Sequence, residues 1–331
     1  VGGRSGAFVG GAVRGAMAAL ALLASFPPVA GAAEPPVRFG YVAACVADVA
    51  HATDFFATTF GWGSQPTGSG RGDAVVRAGD FRLELREAPR HETSDRPHCR
   101  AGTYSTLVFH ARSPEEIERA LARLPQVRVE RDPDGAVSLP REASGGTHVR
   151  LAVSGDEQGR AEPAAGASAR VDRLAIIVRD ADRAAAFYTD VLGLERYPET
   201  LVLESGGNER SGGMRVAFID ARGVWLALVQ PVGPGPLMDY LDRKGDGYVA
   251  ELIVDVDDLD GFYDRMRARG VQMVDTSGNP VDPQLKAHVL HPYGDRIAYF
   301  PTDFSAGLVV ELCERGPPET SLLHRRDRRG R

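Results

Sequence analysis

At 331 residues the chain is long enough for two domains of ordinary size, each with ample core. Its 43% hydrophobic and 25% charged content is that of a soluble globular protein. A formal net charge of −6, with no basic face in the body of the chain, gives no reason to expect a nucleic-acid partner.

Residues 1–33 read as a secretory signal peptide. Arg4 and Arg14 give the positive flank, Met17 to Phe26 a short apolar run, and Ala30-Gly31-Ala32 a small-residue cleavage pattern. The run is too short to span a bilayer, so a periplasmic or secreted protein without a membrane span is expected. The first module starts at Val37 with an alternating strand. A helix from Val49 to Phe60 follows, then strands ending in DFRLELREA. The second opens with TYSTLVFHA and enters a helix at Ser113-Pro114-Glu115-Glu116, a cap, a helix-compatible proline and two acids suited to a helix N-terminus. It returns through VRVERD, AVSLPR and THVRLAV, so the N-terminal domain spans 37–153. Residues 154–170 lack apolar periodicity and read as a linker.

The third module, Val171 to Val232, repeats the plan. The fourth runs from GYVAELIVDVDDLDGFYDRMRARGV to DRIAYFPTDFSAGLVVELCE, with Asp257 or Asp258 capping its helix and Gly270 stopping it. These two form a C-terminal domain over 171–315, and 316–331 is a basic, disordered tail. The repeat is visible without a gap. VDRLAIIVRDADRAAAFYTDVLGLERY aligns with RFGYVAACVADVAHATDFFATTFGW, placing Val178 on Val46, Asp180 on Asp48, Phe187-Tyr188 on Phe55-Phe56 and Gly193 on Gly61. The expected fold is α+β: tandem βαβββ modules in two paired-module domains, each a curved mixed sheet with helices outside and a cavity inside. Cys45, Cys99 and Cys313 can close at most one pair and read as buried free thiols.

The module order, the FYTDVLGL and FPTDFSAGLVVEL segments, and the stretch from VQPVGPGP to RMRARGV resemble the vicinal oxygen chelate superfamily of glyoxalases, methylmalonyl-CoA epimerases, extradiol dioxygenases and bleomycin-resistance proteins. The resemblance implies one divalent metal ion in the cavity, held by His at the start of each first strand and Glu on each last strand. In the second half those positions carry Arg173, Ala227, Glu251 and Glu311; in the first half, Tyr41, Glu84, Thr106 and Arg150. One expected residue of four survives in each half, so the cofactor is either absent or one divalent ion bound by Glu251 and Glu311.

Arg173, Glu251 and Glu311 are the candidate catalytic residues. The guanidinium takes over the ion's electrostatic role between two carboxylates that would otherwise raise each other's pKa. A displaced Glu84/His110/His148 set is the alternative in the first half. His288 and His291 are placed in a loop at the cavity mouth, Arg82 and Arg86 beside Glu84, and Tyr240, Tyr248 and Tyr263 as packing residues. The implied function is a glyoxalase- or epimerase-like isomerase or lyase that moves a proton on a small oxygenated substrate. The alternative is a metal-free small-molecule binding protein of the bleomycin-resistance type.

Overall fold

A computed structural model describes residues 37–67, 72–89, 99–124, 126–154, 169–198, 200–203, 213–275, 278–290 and 294–317. The leader, most of the linker and most of the tail lie outside them. The first module is β1 (Val37–Val46), α1 (Val49–Phe60), β2 (Gly63–Pro66), β3 (Ala74–Ala78) and β4 (Phe81–Glu87). The second is β5 (Thr103–Ala111), α2 (Pro114–Leu121), β6 (Glu130–Arg131), β7 (Val137–Leu139) and β8 (Val149–Val153).

The third comprises β9 (Ala169–Ile177), α3 (Ala181–Ala186) continued by a π-helical segment (Phe187–Val191), β10 (Glu195–Arg196), β11 (Leu201–Leu203), β12 (Gly213–Asp220) and β13 (Trp225–Val232). A connecting helix not anticipated from the sequence, α4 (Pro236–Lys244), leads to β14 (Tyr248–Val256), α5 (Leu259–Ala268), β15 (His288–Leu290), β16 (Asp295–Tyr299) and β17 (Val310–Glu314).

The helices are framed by one repeated device. Asp48, Asp180 and Asp258 each accept backbone N–H bonds from the first turn, at 2.8–3.0 Å. Gly61, Gly193 and Gly270 take the left-handed conformation just past the helical segments, which a side chain would resist. Ser113 occupies the cap position of α2 without a side-chain bond, and Pro114 carries the helix start.

Each half forms one open, mixed sheet. The orders are β2-β3-β4-β1-β5-β8-β7-β6 and β10-β12-β13-β9-β14-β17-β16-β15, with β11 paired to β12. In both, the first strands of two modules pair antiparallel at the centre, β1 with β5 and β9 with β14. Each also runs parallel to the last strand of its own module. The protein is therefore α+β, with two paired-module domains.

Alternation then sorts the side chains. Val42, Ala44, Val46, Leu174 and Ile176 point into a core that also holds the helices, whereas Tyr41, Ala43, Ala175 and Ile253 line the opposite, concave faces. The core is continuous between the halves. Phe55 meets Phe300 edge to face at 5.2 Å, Phe60 lies 5.7 Å from Phe262, and Phe109 6.1 Å from Tyr188. Burying each such ring contributes about 1.5–3 kcal/mol. Glycines allow the closest approach: a Cβ on Gly102 would sit 2.7 Å from the Gly307 carbonyl oxygen, and one on Gly247 only 1.9 Å from Gly146. Among the described residues, no helix is long and apolar enough to cross a membrane.

One expectation is overturned here. Cys45 and Cys99 are joined in a disulfide, with Cα atoms 5.4 Å apart, and only Cys313 is a buried free thiol. Cys45 is the penultimate residue of β1 and Cys99 precedes β5, so the antiparallel pairing of these two strands brings the thiols together. A sequence separation of 54 residues hid this.

Candidate functional site

The strand registers place the four positions of each half equivalently. Ala227 lies opposite Ala175 and Glu84 opposite Ala43. Glu251 lies opposite Ala175 and Thr106 opposite Ala43, while Glu311 faces Ile253 and Arg150 faces Val108. Each concave face is thus a cup with four corresponding sites, filled by unrelated residues.

In the C-terminal cup Arg173 and Glu311 are almost fully buried and Glu251 is half-buried. The floor around them is apolar. Ala175, Ile253, Ile297 and Cys313 pack on one side, and Tyr197, Val216, Phe218 and Ala227 on the other. Arg173 reaches Glu311 at 3.5 Å, but its shorter contact is Nη1 to the Asp172 carboxylate at 2.7 Å. Its ion pairs go to these two acids rather than to Glu251.

Asp172 can act there because of a β-bulge. The register runs Ile253 to Arg173 and then Val254 to Val171, leaving Asp172 as the extra residue, turned to its neighbour's side. Outward from Asp172 the charges alternate. Arg315 contacts Asp172 at 3.3 Å and Asp255 at 2.7 Å, and Asp255 also takes Arg170 at 2.8 Å. Tyr299, opposite Glu311 across the β16–β17 pair, donates its hydroxyl to Glu311.

Burial is the main cause of the pKa shifts. It raises Glu251 to about 8, reinforced by the Glu311 charge and opposed by Arg173 and Tyr299. Glu311 is raised as well, chiefly by burial, with Arg173 pulling the other way. Tyr299 is pushed well up by burial and by the two carboxylates. The cup therefore holds two facing carboxyls, both raised by burial, with Glu251 the more accessible member.

The first-half positions are arranged differently. Arg82, Tyr41, His110 and Arg150 stand on adjacent strands β4, β1, β5 and β8. The Arg82 guanidinium lies 4.6 Å over the Tyr41 ring, and His110 packs edge-on to the same ring at 6.0 Å. Glu84 is held by Arg86 at 2.7 Å and more loosely by Arg82 at 3.8 Å; Arg150 pairs with Asp132 and Asp134 at 2.8 Å each. His110 is driven down to about 4, first by burial and then by Arg82, Arg38 and Arg150, and is a neutral imidazole at pH 7.

Neither cup offers the donors of a divalent site. The C-terminal set is two carboxylates, a methyl group and a permanent cation 3.5 Å from Glu311, where a closed or catalytic ion needs three or more protein ligands. Among the described residues, no group of three or more His, Cys, Asp or Glu is placed to hold a metal, which includes the Glu84/His110/His148 set. The implied ion does not fit the residues present.

His288 stands in strand β15 opposite Ile297, not in a loop; His291 lies outside the described residues. Tyr263 is a buried packing residue, while Tyr240 and Tyr248 meet each other at 5.6 Å with Lys244 over both rings. Asp172 and Tyr299 were missed from the sequence. Tyr299 had a signal, since it falls on the cup face of the strand paired with the one bearing Glu311. Asp172 had none, because alternation assigns it to the wrong face.

Fold and register together define a tandem paired-module protein with two open cups. Residues 170–299 match the model of the Glyoxalase/Bleomycin resistance protein/Dioxygenase superfamily. An ethylmalonyl-CoA/methylmalonyl-CoA epimerase of Cereibacter sphaeroides is 28% identical over 145 residues, 43% of this chain and 96% of the relative. A variant of 4-hydroxymandelate synthase from Streptomyces coelicolor aligns over 89% of this chain and all of its own at a TM-score of 0.60 and 18% identity. The 2,3-dioxygenase LapB from Pseudomonas sp. KL28 aligns over 85% and 92% at 0.53 and 13%. These two carry the two-domain fold across both halves.

Proposed function

We propose that the C-terminal cup moves a proton on a carbon next to a carbonyl, as an isomerase or lyase of the epimerase type, with Glu251 as acid and base. The observation that carries this is the Glu251 carboxyl, half-buried over an apolar floor and raised to about 8 by burial and by Glu311. A base with a pKa near the working pH is the efficient choice for proton transfer. In the forward step the substrate C–H bond breaks, the proton passes to a Glu251 oxygen, and the electron pair moves onto the carbonyl oxygen as an enolate. Arg173 is the fixed cation of the cup, and Tyr299 with Glu311 holds the neighbouring proton. The matched epimerase supports the choice of an acidic C–H in an acyl thioester.

The test is deuterium incorporation at carbon 2 of methylmalonyl- or ethylmalonyl-CoA by the full chain in D2O. Exchange is expected, falling about 10²–10⁴-fold in Glu251→Gln. Wild-type protein that binds such a ligand but gives no exchange rejects catalysis.

One observation favours the second reading, a metal-free binding protein. Arg173 is already committed to Asp172, Glu311 and the Cys313 sulfur, so little of its donor capacity is left for an enolate. Binding that survives Glu251→Gln unchanged supports that reading.

Export to the periplasm or medium completes the proposal. The Cys45–Cys99 bridge supports it, since such bonds persist in oxidising compartments. Terminal sequencing of native protein is expected to start near Ala33 or Glu34; a retained leader overturns it.

A further inference from the structure

We infer that the N-terminal cup is a second ligand site, one that takes a small organic carboxylate with an apolar body. Three features of the cup converge on this chemistry. Arg82, Glu84, Arg86 and Arg150 are withdrawn but reachable, with side chains 13–28% exposed. The acids that offset Arg150, Asp132 and Asp134, sit at the wetter rim with 39% and 63% exposure, so solvent screens them more than it screens the arginines. The inner surface is therefore net cationic, and Arg82, Arg38 and Arg150 add to the burial that keeps the imidazole of His110 unprotonated.

Within that field Arg82 is only half used. Its buried Nε has no hydrogen-bond partner, and its terminal nitrogen is 3.8 Å from Glu84, which Arg86 already satisfies at 2.7 Å. A buried guanidinium N–H without an acceptor costs free energy, so the side chain gains by turning that N–H toward a ligand oxygen. The planar fork suits a carboxylate, and the Tyr41 ring beneath it fixes its plane. The rest of the floor, Ala43, Val108 and half-buried Ala152, is apolar and suits the ligand's body.

The site is independent of the proton-transfer chemistry proposed for the other cup. The C-terminal floor carries Arg173 against Asp172, Glu251 and Glu311 and has no excess of cations to attract the same ligand.

Titration calorimetry of the full chain with benzoate, benzamide and benzylammonium tests it. Benzoate is expected to bind saturably at one site, with benzamide and benzylammonium at least about tenfold weaker, a difference of ~1.4 kcal/mol. Arg82→Gln is expected to weaken benzoate by about tenfold or more. Ala152→Asp, which leaves every arginine in place and sets a carboxylate on the floor, is expected to do the same. Thermal melts matching wild type certify each variant. Glu251→Gln is expected to leave benzoate binding unchanged. Absence of saturable binding, equal affinity for benzamide, or loss in Glu251→Gln with retention in the folded Arg82 or Ala152 variant overturns the assignment.

Discussion

The two cups share a scaffold and differ in every residue that carries charge. At the corresponding positions the N-terminal half has Tyr41, Glu84, Thr106 and Arg150, and the C-terminal half Arg173, Ala227, Glu251 and Glu311. The first cup sets three withdrawn arginines around a single withdrawn acid, Glu84, and leaves Asp132 and Asp134 at the rim. The second buries one arginine among three carboxyl groups. The β-sheet fixes where side chains converge but not what they are, so duplication allowed the halves to acquire opposite electrostatics on one register.

The largest expected contrast comes from removing the buried cation. Arg173→Ala leaves Asp172 and Glu311 facing each other and Glu251 without a compensating charge, which costs about 3–5 kcal/mol in urea unfolding. A loss below about 1 kcal/mol would show that the cluster is solvated and the contrast between cups weaker than drawn. Arg173→His sharpens the point. With Glu251 and Glu311 it creates a three-donor set, and that variant, unlike wild type, is expected to bind zinc stoichiometrically in equilibrium dialysis. One tightly held divalent ion per wild-type chain, lost in Glu311→Ala, would break the metal-free account.

Next in size is a pair of opposed pH effects. Glu251 moves from 4.5 to about 8, so the folded protein keeps a proton that the unfolded chain releases. Stability from this group is complete below pH 4.5 and is lost as pH rises through 8, on the order of 4 kcal/mol. His110 works the other way. Lowered from 6.5 to about 4, it contributes stability above pH 6.5 that is lost as pH falls toward 4, about 2 kcal/mol after allowance for its partial exposure. Denaturant melts between pH 4 and 9 should show Glu251→Gln flattening the alkaline limb and His110→Gln the acid limb. Both variants acting on one limb would mean that the cups are not electrostatically separate.

Most of the scaffold could be read before the structure, and the reason is local chemistry. Asp48, Asp180 and Asp258 with Gly61, Gly193 and Gly270 mark helix ends through bonds made within a few residues. The family resemblance, not alternation alone, brought Arg173, Glu251 and Glu311 to one site, because they stand on three different strands. What escaped depends on pairing between distant strands. The bulge that turns Asp172 beside Arg173 exists only when β9 lies against β14. The Cys45–Cys99 bridge needs β1 against β5. The resemblance also located Arg173 without revealing that Asp172, its sequence neighbour, would be its shorter contact.

That bridge gives a third comparison, because the C-terminal half has none among its described residues. Reduction, or the paired change Cys45→Ala with Cys99→Ala, is expected to cost about 2–4 kcal/mol for a closed loop of this length. The loss should appear as earlier hydrogen exchange in β1 and β5, with β9 and β14 unaffected. Equal deprotection of both sheets would show that the shared aromatic core makes the halves unfold as one.

The smallest effect tests the contrast from its other side. Arg150 is the counterpart of Glu311 in position and resembles Arg173 in chemistry: one guanidinium between two carboxylates, Asp132 and Asp134, at 2.8 Å each. The geometry is as good as that of Arg173, and the surroundings are not. Both acids are substantially exposed, so water already solvates them and salt screens the pairs. Arg150→Ala is therefore expected to cost under about 1 kcal/mol, and less at high salt, whereas Arg173→Ala should be nearly salt-independent. If the two substitutions cost the same and share a salt dependence, burial is not what separates the two cups, and the difference in their charges would have to be explained by ligand alone.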